Sequence, residues 1–468
     1  MAKCYVFSIG GTGSRVLRSM IMMLSCGMKL EMQKIVPIII DPDMANADLT
    51  RTVKLGRLYN EIRKNISGGS QGGFFAPEIV KQDRGNILDI LNTSDITFSR
   101  FMGVSSMSRE SQALVKMLFS QKNLGSSMKV GFKGNPNIGS VVLNQITDSM
   151  QFSDFANTFE EGDKIFIISS IFGGTGASGF PLLLKTLRTG NTFPNWSLIN
   201  KAEIGAVSVL PYFRVRSSEE SEIDSSTFVS KAMAALAYYE ENIYNAHLIN
   251  ALYFIGDDLA NIYENNEGGV AQQNEAHIIE FLSATAFVDF VNRNYDGTNC
   301  LELGIKDILS EVTFDKLYPV LAGELEHPLT RMLLTAECLR SRYEFLASPQ
   351  FNANRTLHIP QDFYQSKFIR SLREFTTLYQ EWLHELKDNV RSLSLFHNIE
   401  GEKHPFDIID NSSEKRTLSF KSDYYFFYDR LNRAARHISG IRDVNLETRF
   451  LMMFFNATEK LTREKIVF

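Results

Sequence analysis

Cysteine is scarce in this chain, and what there is does not pair. Cys4, Cys26, Cys300 and Cys338 show no C-x-x-C spacing, and three sit among apolar neighbours, so they read as buried thiols of a reducing compartment rather than disulfides or zinc ligands. The eight histidines show no metal-ligand spacing; His384-Glu385 lacks a second histidine four residues after the first and reads as a solvated helix face. No apolar run approaches the ~18 residues a membrane span needs. The apolar start is broken by Gly10, Gly11 and Gly13 with no small-residue cleavage site, so a cytoplasmic protein without a signal peptide is expected. Charge of one sign is also scarce. A net charge of -5 over 468 residues gives no signal for nucleic acid or an anionic membrane, although it leaves a local basic face open. At this length two or three domains are expected.

What the chain has is glycine in the right places. Residues 165–179 read I-F-I-I-S-S-I-F-G-G-T-G-A-S-G: a continuous apolar run, as in a strand covered on both faces, empties into four glycines interleaved with hydroxyl residues. Residues 180–188 then read as a helix with Pro181 in its first turn, which puts the loop at a helix N-terminus where backbone N–H groups and the dipole favour an anion. The alternative is a tight strand-to-helix turn with no ligand. Residues 5–13, Y-V-F-S-I-G-G-T-G, repeat the arrangement, with residues 14–24 as the following helix, so two glycine loops could face one phosphate chain. Residues 34–43, K-I-V-P-I-I-I-D-P-D, form another buried strand ending in Asp41 and Asp43. Those acids are placed to meet a ribose or magnesium, or serve as turn and cap chemistry.

Residues 67–73, S-G-G-S-Q-G-G, have a mobile or inserted composition, and residues 74–140 carry little periodicity. Residues 141–161 read as helix, 202–210 as strand, 226–245 as helix and 251–255 as strand. That alternation predicts an α/β, doubly wound parallel sheet. Residues 272–294 predict a long helix, with Ile278, Phe281, Leu282, Thr285, Val288 and Val291 at helical spacing. Beyond residue 300 the pattern becomes helical, at 329–346 and 365–395. The stripe Phe368, Leu372, Phe375, Leu378, Tyr379, Trp382, Leu386 and Val390 reads as a packing seam. Residues 417–468 alternate a possible strand at 424–428 with helix at 442–461. The expected division is a nucleotide-binding domain over 1–295, ending in the long helix, and a mostly helical partner or assembly domain over 296–468.

The order of these motifs resembles the tubulin/FtsZ superfamily, in particular its prokaryotic tubulin-like branch. G-G-T-G-A-S-G at residues 173–179 is similar to the signature G-G-G-T-G-[ST]-G, with Phe172 at the first glycine and Ala177 at the fifth position. S-I-G-G-T-G-S-R is similar to G-x-G-G-G-G-x-N, and I-D-P-D-M-A-N-A-D-L to the following N-T-D-x-x-x-L segment. Residues 209–213 sit where such chains have a strand ending in Pro-Phe, Y-F-I-G-D-D-L at 253–259 resembles I-P-N-D-x-L, and H-I-I-E-F-L-S-A-T at 277–285 resembles the core helix.

The resemblance implies GTP/GDP and Mg2+ as ligands. Gly10, Gly11, Thr12, Gly13 and Ser14 would hold the proximal phosphates, and Gly173, Gly174, Thr175, Gly176 and Ser178 would grip the triphosphate. Asp41 and Asp43 would serve magnesium and phosphate, Glu219 and Glu220 the ribose, and Arg15 and Asp257 the remaining nucleotide contacts. Arg15 stands where the family has Asn, and Gly256 where it has the Asn of the later N-D pair. No N-x-D-x-x-D follows the core helix, which leaves Asp296, with Asp289, as the catalytic acids; Asp296 also fits a plain Asp-Gly turn. The family implies head-to-tail homo-oligomers or filaments and slow hydrolysis completed in trans, with a dedicated partner protein as a further expectation. Two other readings stay open: an ATP-dependent adenylating enzyme of the ubiquitin-activating type, whose G-x-G-G-x-G-S loop is similar to residues 8–14, and a nucleotide-independent interaction scaffold.

Overall fold

The β-branched and apolar runs form one six-stranded sheet in which every pairing is parallel. In chain order the elements are β1 (Lys3–Ile9), α1 (Gly10–Ser25), β2 (Lys34–Ile40), α2 (Ala47–Arg63), β3 (Glu78–Ile79), α3 (Pro136–Leu143), α4 (Met150–Thr158) and β4 (Lys164–Ser170). These are followed by α5 (Thr175–Thr189), β5 (Glu203–Val209), α6 (Phe228–Tyr239), β6 (Ala251–Ile255) and α7 (Ile278–Asn292). The last four long helices are α8 (Pro319–Ser341), α9 (Lys367–Asp388), α10 (Asp423–Ile438) and α11 (Leu446–Lys465). This structure is a computed structural model. It describes residues 2–67, 73–90, 96–128, 132, 134–215, 227–259, 262–263, 269–271, 273–293, 311–400, 404–409 and 422–468.

The strand order is β3-β2-β1-β4-β5-β6, with β1 paired to β2 on one side and to β4 on the other. The order therefore reverses between β1 and β4. In an open α/β sheet that switch point leaves a crevice beyond the carboxyl ends of the strands, because the two connections depart to opposite faces. Six of the seven residues in each of β1, β2, β4 and β5 are buried, as unbroken apolar strands under two helical layers require. Phe166 of β4 packs on Phe287 and Phe290 of α7 on one face, while Tyr5 and Phe7 of β1 pack on Phe155 of α4 on the other. Each such ring removed from water contributes roughly 1.5–3 kcal/mol. The expected doubly wound class, with a mostly helical C-terminal part, is the observed one.

Several local expectations are corrected. The first helix starts at Gly10, not residue 14, and the helix after the second glycine loop starts at Thr175 rather than residue 180, so Pro181 lies inside it. Gly176 seats against the backbone of Ser170, so the turn is already helical before the proline, which then forfeits one hydrogen bond. Residues 141–161 are not one helix; a 3-10 turn at Ile146–Asp148 intervenes and Ser149 caps α4. The helix expected at 226–245 closes at Tyr239 into a π turn, Glu240–Tyr244. The long helix begins at Ile278, where His277 and Glu280 form a capping box. Residues 424–428 are helical, because Tyr424, Phe427, Leu431, Ala435 and Ile438 form a buried stripe that five neighbouring aromatics conceal. Within 67–73, residues 68–72 lie outside the described residues.

The C-terminal helices pack on the α1, α2 and α7 layer. Trp382 of α9 is buried against Phe281 of α7, and its indole N–H donates to Ser19 Oγ of α1 at 3.4 Å. Phe375 packs on Tyr59 of α2. The predicted stripe of α9 is thus a packing seam, save that Val390 is exposed. Among the described residues no helix is long and apolar enough to cross a membrane.

Candidate functional site

Both glycine turns open at the switch point. Gly10, in a left-handed conformation at φ 71°, turns the chain from β1 into α1, and a Cβ placed on it would lie 3.3 Å from Thr175 Cβ. The two turns therefore touch. α1 and α5 both begin without a side-chain cap and without an acid in their first turn. Six of the other nine helices named above, α2, α3, α4, α7, α9 and α11, are capped by a side chain (Asn46, Asn135, Ser149, His277, Ser366 and Asn445), while α6, α8 and α10 are not, so what sets α1 and α5 apart is that their uncapped ends adjoin. Two neighbouring helices thus aim their N-terminal dipoles and unbonded N–H groups at one crevice, an arrangement that favours an anion.

The motif residues divide into two sets. Gly11, Thr12, Gly173, Thr175 and Ala177 are partly exposed, while Gly10, Gly13, Gly174 and Gly176 are buried. The buried glycines are required by protein rather than by a ligand. A Cβ on Gly13 would come within 2.7 Å of the Ser8 carbonyl carbon, on Gly176 within 2.7 Å of Ser170 N and O, and on Gly174 within 3.1 Å of the Gly134 and Asn135 nitrogens. The Ser178 hydroxyl is turned inward, donating to Gly174 O at 2.7 Å. Ser14 is buried, and its Oγ has no hydrogen-bond partner.

Beside these turns β2 delivers its acids. Asp41 is buried; its Oδ1 accepts the Asp43 N–H at 3.0 Å and its Oδ2 has no partner. Burial pushes this carboxyl up to about 7 against the help of that N–H, and the Asp43 charge adds to the rise. Asp43 serves the backbone, with Oδ1 accepting from Ala45 N at 3.2 Å and Oδ2 from Gly269 N at 2.7 Å. The orphaned Oδ2 of Asp41 is the atom of this pair that a cation in the crevice could meet, and no group of three His, Cys, Asp or Glu that could hold a metal occurs among the described residues.

Arg15 does not face a ligand. Its Nε donates to Glu280 Oε1 at 2.5 Å, Nη2 to Tyr212 Oη at 3.1 Å and Nη1 to Asp48 Oδ2 at 3.4 Å. Burial works against the Arg15 charge, but Tyr212, Glu280 and Asp48 outweigh it and keep the guanidinium protonated. Burial raises Glu280, opposed mainly by Arg15. Burial, then the charges of Arg15 and Arg391, push His277 down to about 3, so its ring is neutral; Nδ1 accepts Ile279 N–H at 3.1 Å. Asp257 pairs with Arg391 at 2.7 Å and is not directed at the crevice. Asp289 is held by Tyr253 Oη at 2.7 Å and by Arg293 at 2.6 Å. It lies near the far end of α7, where Asn292 binds the backbone of Lys29 and Glu31 ahead of β2, about 13 Å along the axis from Glu280. One chain therefore does not bring Asp289 to the glycine turns. Glu219, Glu220 and Asp296 lie outside the described residues.

Sequence reading passed over Asp48, Tyr212, Asn274, Glu280 and Arg391. Two signals pointed to them: His277-x-x-Glu280 has capping-box spacing, and Arg15/Arg18 and Asp48/Arg51 are charges three apart on helices that pack together.

No protein-family model and no curated protein matches the chain. Solved structures similar to it include CetZ from Methanosaeta thermophila strain DSM 6194, 14% identical at a TM-score of 0.29, with 55% of this chain and 46% of that chain covered. Another is CetZ2 from Haloferax volcanii, a GTPγS-bound protofilament, 15% identical at 0.27, covering 54% and 49% respectively. The matched region spans just under half of each neighbour. At scores this low, the residues of this chain decide what the site can bind.

Proposed function

We propose that the chain is a GTP-binding, tubulin-like protein that assembles head to tail and hydrolyses nucleotide slowly, only when assembled. The observation that carries the reading is the pair of touching, uncapped helix N-termini at the switch point. The N–H groups of Gly11, Thr12, Gly173, Thr175 and Ala177, on the open side of both turns, are the contacts for a phosphate chain. Magnesium would be held by Asp41 together with phosphate and water oxygens, and when bound it would neutralise phosphate charge.

Assembly is supported by the length of α7. Asp289 sits at the end of the sheet opposite the glycine turns, so an acid there could act only on the nucleotide of a second copy. Exposed apolar side chains also stand at both ends: Met44 and Val270 beside the crevice, and Tyr318 and Val320 at the start of α8, whose Glu324 feels the Asp289 charge. A heterologous contact of this kind propagates as a filament. The division at residue 295 belongs to the same proposal. The packing role of the buried glycines favours a second reading, a nucleotide-independent scaffold, since it explains them without any ligand.

Calorimetry on the full chain against GTP, ATP and NAD, with and without magnesium, separates these readings. Magnesium-dependent GTP binding is expected; ATP alone would favour the adenylating enzyme, and no binding the scaffold. Phosphate release per subunit should then rise with protein concentration, and Asp289→Ala should lower it by roughly 10²- to 10⁴-fold. Fast turnover at nanomolar protein, unchanged in that variant, would sink hydrolysis in trans.

A further inference from the structure

α1 carries the first glycine turn, and one turn further on it carries two arginines that grip different parts of the molecule. Arg15 ties α1 to Glu280 of α7 and Asp48 of α2. Arg18, three residues later on the same face, forms a fork with Glu385 of α9, Nη1 to Oε2 at 2.8 Å and Nη2 to Oε1 at 3.1 Å. Glu385 also accepts from Arg51 of α2 and from the backbone N–H of Ala276 at 2.9 Å, just ahead of α7. Asn274 closes the cluster. Its N–H and side-chain amide donate to Asp48 at 3.0 and 2.7 Å, while its carbonyl takes Arg51 at 3.0 Å. Three arginines and three carboxylates thus join α1, α2, the entry to α7 and α9 in one contiguous network.

Stability alone does not call for such a junction. α9 already buries Phe375, Tyr379, Trp382 and Leu386, and a mostly buried ion pair seldom outperforms an apolar contact of the same volume. What directional, charge-assisted bonds add is register: a small displacement of α1 along its axis breaks the fork, whereas apolar side chains slide. Glu385 is the charged group of α9 that meets α1, and α1 is one of the two helices whose N-termini face the crevice.

We propose that Glu385 is a positioning residue that couples occupancy of the first glycine turn to the docking of α9, so that the C-terminal helical half reports the nucleotide state. This rests on the nucleotide reading above. An anion bound at the N-terminus of α1 fixes that helix, the Arg18 fork passes the constraint to Glu385, and α9 is held more tightly. By linkage, a docked α9 favours the bound nucleotide by the same factor.

The test is hydrogen–deuterium exchange of the full chain with and without GTP and magnesium, following peptides from α9, alongside calorimetry. In the wild type, nucleotide should slow exchange in α9 by roughly 5- to 150-fold, the usual span of a coupling between two sites. Glu385→Gln, isosteric and uncharged, should still bind nucleotide stoichiometrically, with affinity lowered by the same factor, but its α9 exchange should no longer respond. Trp382→Phe, which loses the indole N–H contact to α1 and part of a buried ring but no charge, should loosen α9 in both states and keep the response. Nucleotide binding with unchanged α9 exchange in the wild type would overturn the coupling and leave the nucleotide reading standing. An intact response in Glu385→Gln would remove Glu385 from the path. Failure of GTP and ATP alike to bind would remove both proposals.

Discussion

Replacing Arg15 with methionine should unfold the protein more easily, in a way that depends on pH. The substitution keeps much of the apolar stem but strips Glu280 of its cation at 2.5 Å inside a site where both side chains are nearly inaccessible. Asp48 keeps both bonds from Asn274, so the uncompensated charge falls on Glu280. That carboxylate escapes by taking a proton. At pH 7, protonating a group whose ordinary value is 4.5 costs about 3 kcal/mol, at about 1.4 kcal/mol per pKa unit. Lost hydrogen bonds bring the total to roughly 3–5 kcal/mol, the usual effect of breaking a buried pair from one side. The sign follows from the folded pKa of Glu280 rising further above its unfolded value: stability is lost as pH increases from about 4.5 toward that raised value. At pH 5 the protonation cost therefore falls to under about 1 kcal/mol. Urea denaturation of wild type, Arg15→Met and Arg15→Met/Glu280→Gln between pH 5 and 8 provides the measurement. The single variant should lie closest to wild type at pH 5, and the double variant should recover most of the loss at pH 8, because the glutamine amide oxygen still accepts the His277 N–H and its NH2 can donate to the Tyr212 hydroxyl oxygen. Equal destabilisation at both pH values, with no recovery in the double variant, would refute the buried-charge account.

Asp41 gives the ligand-free protein a pH dependence of the same sign. Its folded value of about 7 stands above the ordinary 3.8, so stability is full below about 4 and falls as pH rises toward 7, by on the order of 4 kcal/mol in all. Asp41→Asn should raise the denaturation midpoint at pH 8 by the equivalent of roughly 1–3 kcal/mol, the unpartnered amide offsetting part of the gain, and should have little effect at pH 4. Gly176→Ala should destabilise the ligand-free chain by roughly 1–3 kcal/mol, since its Cβ meets the Ser170 backbone, which cannot swing aside. Thr175→Ala, on the open side of the same turn, should leave the midpoint within about 0.5 kcal/mol and weaken nucleotide binding. An unchanged midpoint in Gly176→Ala together with lost binding would return that glycine to a direct ligand role.

The sequence by itself determined five of the six sheet strands, the fold class and the place of both turns. A buried parallel strand must be a continuous apolar run, and a chain leaving it sharply into a helix needs glycine; both requirements are local and can be read residue by residue. The helical character of the C-terminal part was legible for the same reason, from periodicity alone. Only the tertiary structure decided what each residue of the motifs is for. Gly13, Gly174 and Gly176 are glycine because other backbone passes within 3.1 Å of where a Cβ would stand, a contact between positions up to 40 residues apart. Arg15 lost its assignment to the ligand because Asp48, Tyr212 and Glu280, from three distant segments, reach it first. Asp43 and Asp257 were claimed by Gly269 and Arg391 in the same way. A polar side chain at a sheet edge looks free in the sequence, and only the packing of elements far apart in the chain decides whether a buried partner or the crevice receives it.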